Sequence, residues 1–298
     1  MLEIIKYNED EYVFPSLLVL GCFDAIHIGH AELLKKAKLQ AKINGLDLGV
    51  MMFVEGKGGR QVCNFEERQR LLEQFGVKFI LAIDFTDEFK ETSANEFLEN
   101  VENKINVKAY MSGRDFRFGA GAKAKSATLK AYADDEENGV WYMPVKDVTY
   151  VGEKVSTTLI KNCIEGGNLV KAGALLGRPY SVTGFVIEGA NRGKELGFPT
   201  INMKYPTEKV EVKRGVYKVK CAVSEETFIG IANYGSRPTF NENSSVLEVY
   251  LDGFVGTLYG RAVTVEFIEF LRDTQKFDSA DDLKNQLKID LQRAKLKV

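Results

Sequence analysis

His27 and His30 are the only two histidines in a chain of 298 residues, and they stand three positions apart in "GCFDAIHIGH". Two imidazoles on one side of a turn can donate hydrogen bonds to phosphate oxygens, and Gly29 between them lets the backbone approach closely. The stretch follows an apolar run, "LLVLG", and precedes an amphipathic one, "HAELLKKAKLQAKI". That order reads as a strand, a glycine turn and a helix N-terminus, where free N–H groups and partial positive charge suit an anion. The chemistry on offer is stabilisation of charge on a phosphate as a leaving group departs, which needs positioning and electrostatics rather than a base. Two histidines that merely cap a helix are the competing reading, and finding both imidazoles of the chain in one turn weighs against it.

A second set of chemical groups lies in "GFVIEGANRGKELGFPTINM", with Gly184, Gly189, Gly193 and Gly197 close together and the cations Arg192 and Lys194 among them. The spacing is not that of a P-loop. A glycine-rich turn with two cations can still wrap phosphates through backbone amides and side chains. Thr200 and Asn202, two apart on an extended segment, share a face and offer neutral oxygens suited to a Mg²⁺ ion carrying ATP phosphates. An ordinary barrel turn is the alternative. Glu248, in "VLEVYL", is a carboxylate in an otherwise apolar strand; an outward surface glutamate explains it equally well. Asn233 and Arg237 in "NYGSRPTF" can shape a site or simply serve a turn. Arg272 in "LRDTQKF" can reach a phosphate or lie exposed, and aromatics such as Phe116, Phe118 and Tyr259 can stack on a ring or fill a core.

These groups need elements to hold them. Composition sets the class: 45% hydrophobic and 28% charged residues describe a globular chain, long enough for two ordinary domains. With 40 basic and 42 acidic residues the net charge is −2, which gives no global field for nucleic acid. The four cysteines lack zinc-like spacing and a disulfide framework is not expected. No secretory signal or membrane-length apolar run stands out, so a cytoplasmic protein is expected.

The first half alternates strand and helix patterns. "LLVLG", "LGVMMFV", "KFILAIDF", "VKAYMSG" and "GVWYMPV" read as strands, with helical runs between them and capping pairs Asn64/Glu67 and Ser93/Glu96. Alternation of this kind predicts a doubly wound α/β sheet with ligands beyond the carboxyl ends of its strands. From Ser181 the runs "SVTGFVIEG", "GVYKVKCAV", "FIGIANYG", "VLEVYLDGF" and "AVTVEFIEFL" predict a small antiparallel β-barrel, and Ser279 to Leu296 a terminal helix. The boundary is expected near residues 178–183, giving domains 1–180 and 181–298.

The motif Gly21, Phe23, Asp24, His27, Gly29, His30 resembles the H-x-G-H nucleotidylyltransferase signature. More narrowly, it looks like the adenylyltransferase half of the prokaryotic bifunctional riboflavin kinase/FAD synthetase family. "MSGRDFRFG" is similar to that family's G-x-D-F-R-F-G segment, which implies Gly113, Asp115, Phe116 and Arg117 near flavin or nucleotide. "KVSTTLIK" resembles its S-S-T-x-I-R segment, which implies that Ser156, Thr157, Thr158 and Lys161 hold the triphosphate. The glycine-dense stretch is similar to the riboflavin kinase signature G-x-x-x-R-G-x-x-L-G-F-P-T-A-N, with Ile201 for the alanine, and the likeness runs through residues 177–278. It implies nucleotide contacts at Gly189, Arg192, Gly193, Lys194 and Gly197, a metal held by Thr200 and Asn202, and Glu248 as base for the riboflavin hydroxyl.

The resemblance implies a nucleotidylyltransferase-like N-terminal domain and a kinase barrel. Together they would convert riboflavin to FMN and FMN to FAD, using ATP and Mg²⁺, as a monomer or weak homo-oligomer with no nucleic-acid or membrane partner. Two departures stand out: Lys161 replaces an arginine, and "MMFVEGKGG" replaces a Pro-His-Pro stretch, so a third histidine is missing. They motivate the alternative of a riboflavin kinase whose first domain only binds.

Overall fold

The computed structural model describes residues 2–56, 58–188, 197–223, 226–236 and 245–296, and the chain divides into two compact units, Met1–Thr157 and Thr158–Val298. In the first unit six strands form one parallel sheet: β1 (Glu3–Lys6), β2 (Tyr12–Leu20), β3 (Asp47–Phe53), β4 (Phe79–Ile83), β5 (Ile105–Gly113) and β8 (Trp141–Val145). Their spatial order is β1-β4-β3-β2-β5-β8. The short pairs β6 (Arg117–Phe118) with β7 (Ala124–Lys125) and β9 (Thr149–Tyr150) with β10 (Glu153–Lys154) lie outside the main sheet. Helices α1 (Ile28–Asn44), α2 (Phe65–Gln74), α3 (Asp87–Glu91), α4 (Ala94–Lys104) and α5 (Ser126–Ala133) connect the strands.

Strand β2 shows why both faces must be covered. Leu17 and Val19 belong to one apolar cluster, with Leu34, Ala37 and Ala41 of α1. Leu18 and Leu20 point to the other, with Phe97, Leu98 and Val101 of α4. A strand buried on both sides reads as an unbroken apolar run, as "LLVL" does. The expected capping boxes at Asn64/Glu67 and Ser93/Glu96 are both present. The chain winds from β2 outward through β3 and β4, then crosses back to place β5 on the other side of β2. The order therefore reverses between β2 and β5, the place where doubly wound sheets open a crevice for ligands.

The second unit holds α6 (Thr157–Glu165), which begins at the dividing point, then α7 (Leu169–Leu176) and a closed antiparallel barrel. The barrel strands are β11 (Tyr180–Ile187), β12 (Thr200–Lys204), β13 (Gly215–Val223), β14 (Glu226–Ser236), β15 (Ser245–Leu251) and β16 (Ala262–Arg272). Around the barrel the order is β11-β12-β15-β14-β13-β16. The terminal helix α8 (Ala280–Lys295) is capped by Ser279. It packs through Leu287 and Ala294 on Val216, Ile231 and Leu271. The compact units thus part before the composition changes near residue 180, because α7 packs against β11 and β16 and so belongs with the barrel.

Candidate functional site

The turn after β2 is built around strained backbone. Phe23 and Ile26 have φ of 49° and 41°, a left-handed conformation that costs side-chain-bearing residues free energy and is rarest for a β-branched one. The turn delivers His27 to the N-cap of α1, where its Nδ1 accepts a hydrogen bond of 3.2 Å from the His30 backbone N–H. With Nδ1 occupied as an acceptor, a neutral His27 carries its proton on Nε2. The two imidazole rings stack 3.8 Å apart at an interplanar angle of 9°, and Phe23 lies against His30 with ring centroids 4.7 Å apart. Burial, then the neighbouring His27, holds the His30 pKa well below its ordinary 6.5. His30 is therefore a neutral imidazole at physiological pH. Its Nδ1 is buried without a hydrogen-bond partner.

A cavity of about 310 Å³ opens at the carboxyl ends of β2, β5 and β8. Gly21, His27, Gly29, His30, Gly113, Asp115, Phe116, Arg117, Ser156 and Thr157 line it, so residues far apart in sequence meet at the sheet's reversal point. At Gly29 an added Cβ would come within 3.0 Å of the His27 ring, so glycine there leaves room for the imidazole. Phe23 and Asp24 are not lining residues. Phe23 is fully buried behind His30, and Asp24 accepts a 2.9 Å hydrogen bond from the Val62 N–H. They support the turn rather than face the cavity. Thr158 and Lys161 are not among the lining residues either; they fall on α6 within the second unit.

The loop that replaces the Pro-His-Pro stretch is tied down from two sides. Arg68, fully buried on α2, donates to the backbone oxygens of Phe53 (2.7 Å) and Val54 (2.5 Å) and to Gln61 Oε1 (3.1 Å). Asp24 holds the other end at Val62 and Cys63. Among the described residues between 54 and 64, none lines the cavity.

Lys146, Asp147 and Lys154 also line this cavity, and sequence reasoning misses them. Lys154 pairs with Asp115 at 2.5 Å and with Asp147 at 2.9 Å. The position of "VKD" just past a strand end is the available signal. A second cavity, of about 370 Å³, is lined by Phe53, Phe85, Phe89, Phe97, Phe116 and Phe118, with Lys90 and Arg117 at its wall. Four of these six rings are likewise absent from the sequence-based candidates. Phe53 ends β3 and Phe85 follows β4, so the rule that ligands bind beyond strand ends points there.

In the barrel, strand register assembles the second group. Asn202 on β12 stands directly opposite Glu248 on β15, and Glu248 directly opposite Asn233 on β14. Thr200 stands opposite Tyr250 in the same way. Directly opposed residues share a face of a sheet. The flanking Leu247 and Val249 are fully buried, and side chains alternate along a strand, so the Asn202–Glu248–Asn233 row projects from the opposite face of the barrel wall, where Asn233 is exposed, Glu248 half-buried and Asn202 covered. Gly197, just before β12, has φ of 80°, a left-handed position that suits glycine. Gly189, Arg192, Gly193, Lys194 and Arg237 lie outside the described residues. The Arg272 fork is engaged within its own unit. Nε and Nη2 bind Asp290 of α8 at 2.8–3.1 Å, and Asp290 has no solvent exposure. The guanidinium therefore fastens α8 to β16.

A cavity lined by two imidazoles at the reversal point of a doubly wound sheet, followed in the chain by a barrel bearing a carboxylate between two asparagines, defines a nucleotidyl-transfer fold linked to a kinase-like barrel. The FAD synthetase family model matches residues 10–159 and the riboflavin kinase family model residues 176–298. The chain belongs to the bifunctional riboflavin kinase/FMN adenylyltransferase family. It is 31% identical to the Bacillus subtilis protein of that name, over 94% of this chain and 91% of the relative. It is 32% identical to the Haemophilus influenzae one, over 97% and 96%. A solved structure described as a macrolide-efflux protein from Streptococcus pneumoniae superposes with a TM-score of 0.92 at 31% identity, covering 100% of this chain and 99% of that one. Among the described residues no helix is long and apolar enough to cross a membrane.

Proposed function

We propose that this chain makes FMN from riboflavin and FAD from FMN, spending one ATP at each step, with the adenylyl transfer in the first unit and the phosphoryl transfer on the barrel. The observation that carries the reading is the convergence of His27, His30, Gly113, Ser156 and Thr157 on one cavity at the sheet's reversal point. Both domains match their family models, and the relatives carry both activities in one name. This favours the two-step reading over a kinase with a binding-only first domain.

In the first unit the nucleophile is a phosphate oxygen, already ionised, so no base is required. His27 Nε2–H and the neutral His30 serve as donors to the α-phosphate while pyrophosphate leaves. Helix α1 adds the partial charge of its N-terminus. The six-phenylalanine cavity suits a flat isoalloxazine ring, which gains by offset and edge-on contacts with aromatic faces.

On the barrel the nucleophile is an alcohol, which needs somewhere for its proton to go. Glu248 is the base in this reading, flanked by Asn202 and Asn233 in one row. The donor set fits Mg²⁺: Thr200 and Asn202 supply neutral hard oxygens beside a carboxylate, leaving positions for phosphate oxygens and water. When bound there, the ion would neutralise charge on the transferred phosphoryl group. The enzyme acts in the cytoplasm on small molecules, as a monomer or weak homo-oligomer, without nucleic-acid or membrane partners.

The test is to follow two reactions of the full chain separately, riboflavin with Mg-ATP for FMN and FMN with Mg-ATP for FAD. Both products are expected. FMN formation without FAD formation would return the first unit to a binding role.

A further inference from the structure

Two cavities meet in the first unit, and two residues line both of them, Phe116 and Arg117. One cavity carries the imidazoles and strand-end glycines that face a nucleotide; the other is aromatic. A flavin seated in the aromatic cavity must bring its phosphate to that shared wall, because the phosphate is the group that attacks the nucleotide.

The charges at the wall narrow the choice. Lys154 is held between Asp115 and Asp147. His30 is kept neutral by burial. Lys146 lines only the nucleotide cavity. Arg117 faces both cavities, and no hydrogen bond or ion pair to its guanidinium from another described residue competes for it. A guanidinium is a planar fork of five donors that matches a phosphate through two parallel hydrogen bonds.

We infer that Arg117 grips the phosphate of the incoming FMN and aims one of its oxygens at the α-phosphorus of ATP, a role that rests on the aromatic cavity being the flavin site. One FMN phosphate oxygen forms a bond to the α-phosphorus. The bond from that phosphorus to the β-phosphate oxygen breaks, and pyrophosphate leaves with the electron pair. No proton has to be removed from the nucleophile and nothing is oxidised or reduced. Fixing the attacking oxygen in line turns an encounter of two anions into a positioned reaction, which is where such an arginine contributes most.

Adenylyl transfer by the full chain tests this, with lumiflavin as a competitive probe, since it keeps the isoalloxazine ring but lacks the ribityl phosphate. Arg117→Gln is expected to raise KM for FMN about ten- to a hundredfold, the loss of one charge-assisted phosphate contact. KM for ATP and the inhibition constant of lumiflavin should stay within about twofold, and Arg117→Lys should recover part of the loss. A rise in KM for ATP with none for FMN would overturn the inference and assign Arg117 to the nucleotide. An equal rise for FMN and lumiflavin would also overturn it, because the side chain would then be shaping the aromatic cavity. Phe89→Ala separates the underlying reading. If lumiflavin competes equally well with FMN in that variant and the wild type, the flavin sits elsewhere, whatever Arg117 does.

Discussion

The two reacting sites differ in how the chain brings them together. The imidazole pair comes from four consecutive residues at a helix N-terminus, and its geometry is local: a 3.2 Å N-cap bond and a 3.8 Å ring stack. The carboxylate site comes from three strands whose residues meet only through register, Asn202 to Glu248 to Asn233. The nucleophiles differ correspondingly. An ionised phosphate needs donors and positioning, so a capped turn suffices. An alcohol needs a base, and in the proposed reading the carboxylate held on a rigid barrel between two amides is that base. A local motif can serve where charge must be stabilised, while proton abstraction draws on a tertiary scaffold that fixes the base.

The contrast can be broken at several points. The largest effect is expected from Glu248→Gln, which keeps the shape and removes the base. FMN formation from riboflavin should fall by about 10²- to 10⁴-fold, while FAD formation from supplied FMN persists. Loss of both activities together would show that the two sites are not chemically separate. Next, His27→Ala should cut adenylyl transfer by roughly 10²- to 10³-fold through loss of a preorganised donor. The kinase rate, measured in the same preparation, should hold. It also removes the N-cap of α1, at a cost of about 1 kcal/mol read in denaturant unfolding.

A third test concerns the scaffold under the carboxylate row. Arg272→Met would strand the Asp290 carboxylate, which has no solvent exposure, without its partner. Breaking one side of a buried pair costs about 3–5 kcal/mol, and the shift should appear in urea unfolding of the barrel signal. A shift well under about 1 kcal/mol, the scale of an exposed pair, would mean that α8 is held by its apolar contacts alone.

The smallest effect is one of pH. The His30 pKa is depressed by burial, so the folded chain resists a proton that the unfolded chain accepts below about 6.5. Its contribution therefore favours the folded state above that pH and is lost progressively as pH falls below it. The adenylyl-transfer rate should show no gain on acidification from about pH 8 to 6, a range that spans the ordinary histidine value. A rise with a midpoint near 6.5 would mean that an imidazolium, not a neutral donor, assists at this position.

Much of the architecture is legible in short windows of the chain. The apolar run "LLVL" announces a doubly buried strand, and Asn64/Glu67 and Ser93/Glu96 announce helix starts that the fold reproduces. Strand and helix alternation in one half, and short strands with one last helix in the other, lead to both architectures. The residues whose surroundings differ from expectation share a cause. Arg272 looks available in the sequence because its partner Asp290 lies on a different element, and Phe23 and Asp24 look like binding residues because they sit inside a motif. Phe85 and Phe89 go unnoticed because an aromatic side chain alone does not reveal whether space lies beside it.

What the amino-acid order determined was whatever depends on neighbours: strand and helix periods, the capped turn that stacks His27 on His30, and the face shared by Thr200 and Asn202. Tertiary structure alone decided which distant groups meet, Glu248 beside Asn202 and Asp290 against Arg272, and that the neighbours Phe116 and Arg117 stand at the wall between two cavities. The physical reason is range. Backbone propensity and capping act over a few residues, whereas strand register and cavity shape follow from packing the whole unit at once, and no short window of sequence contains that information.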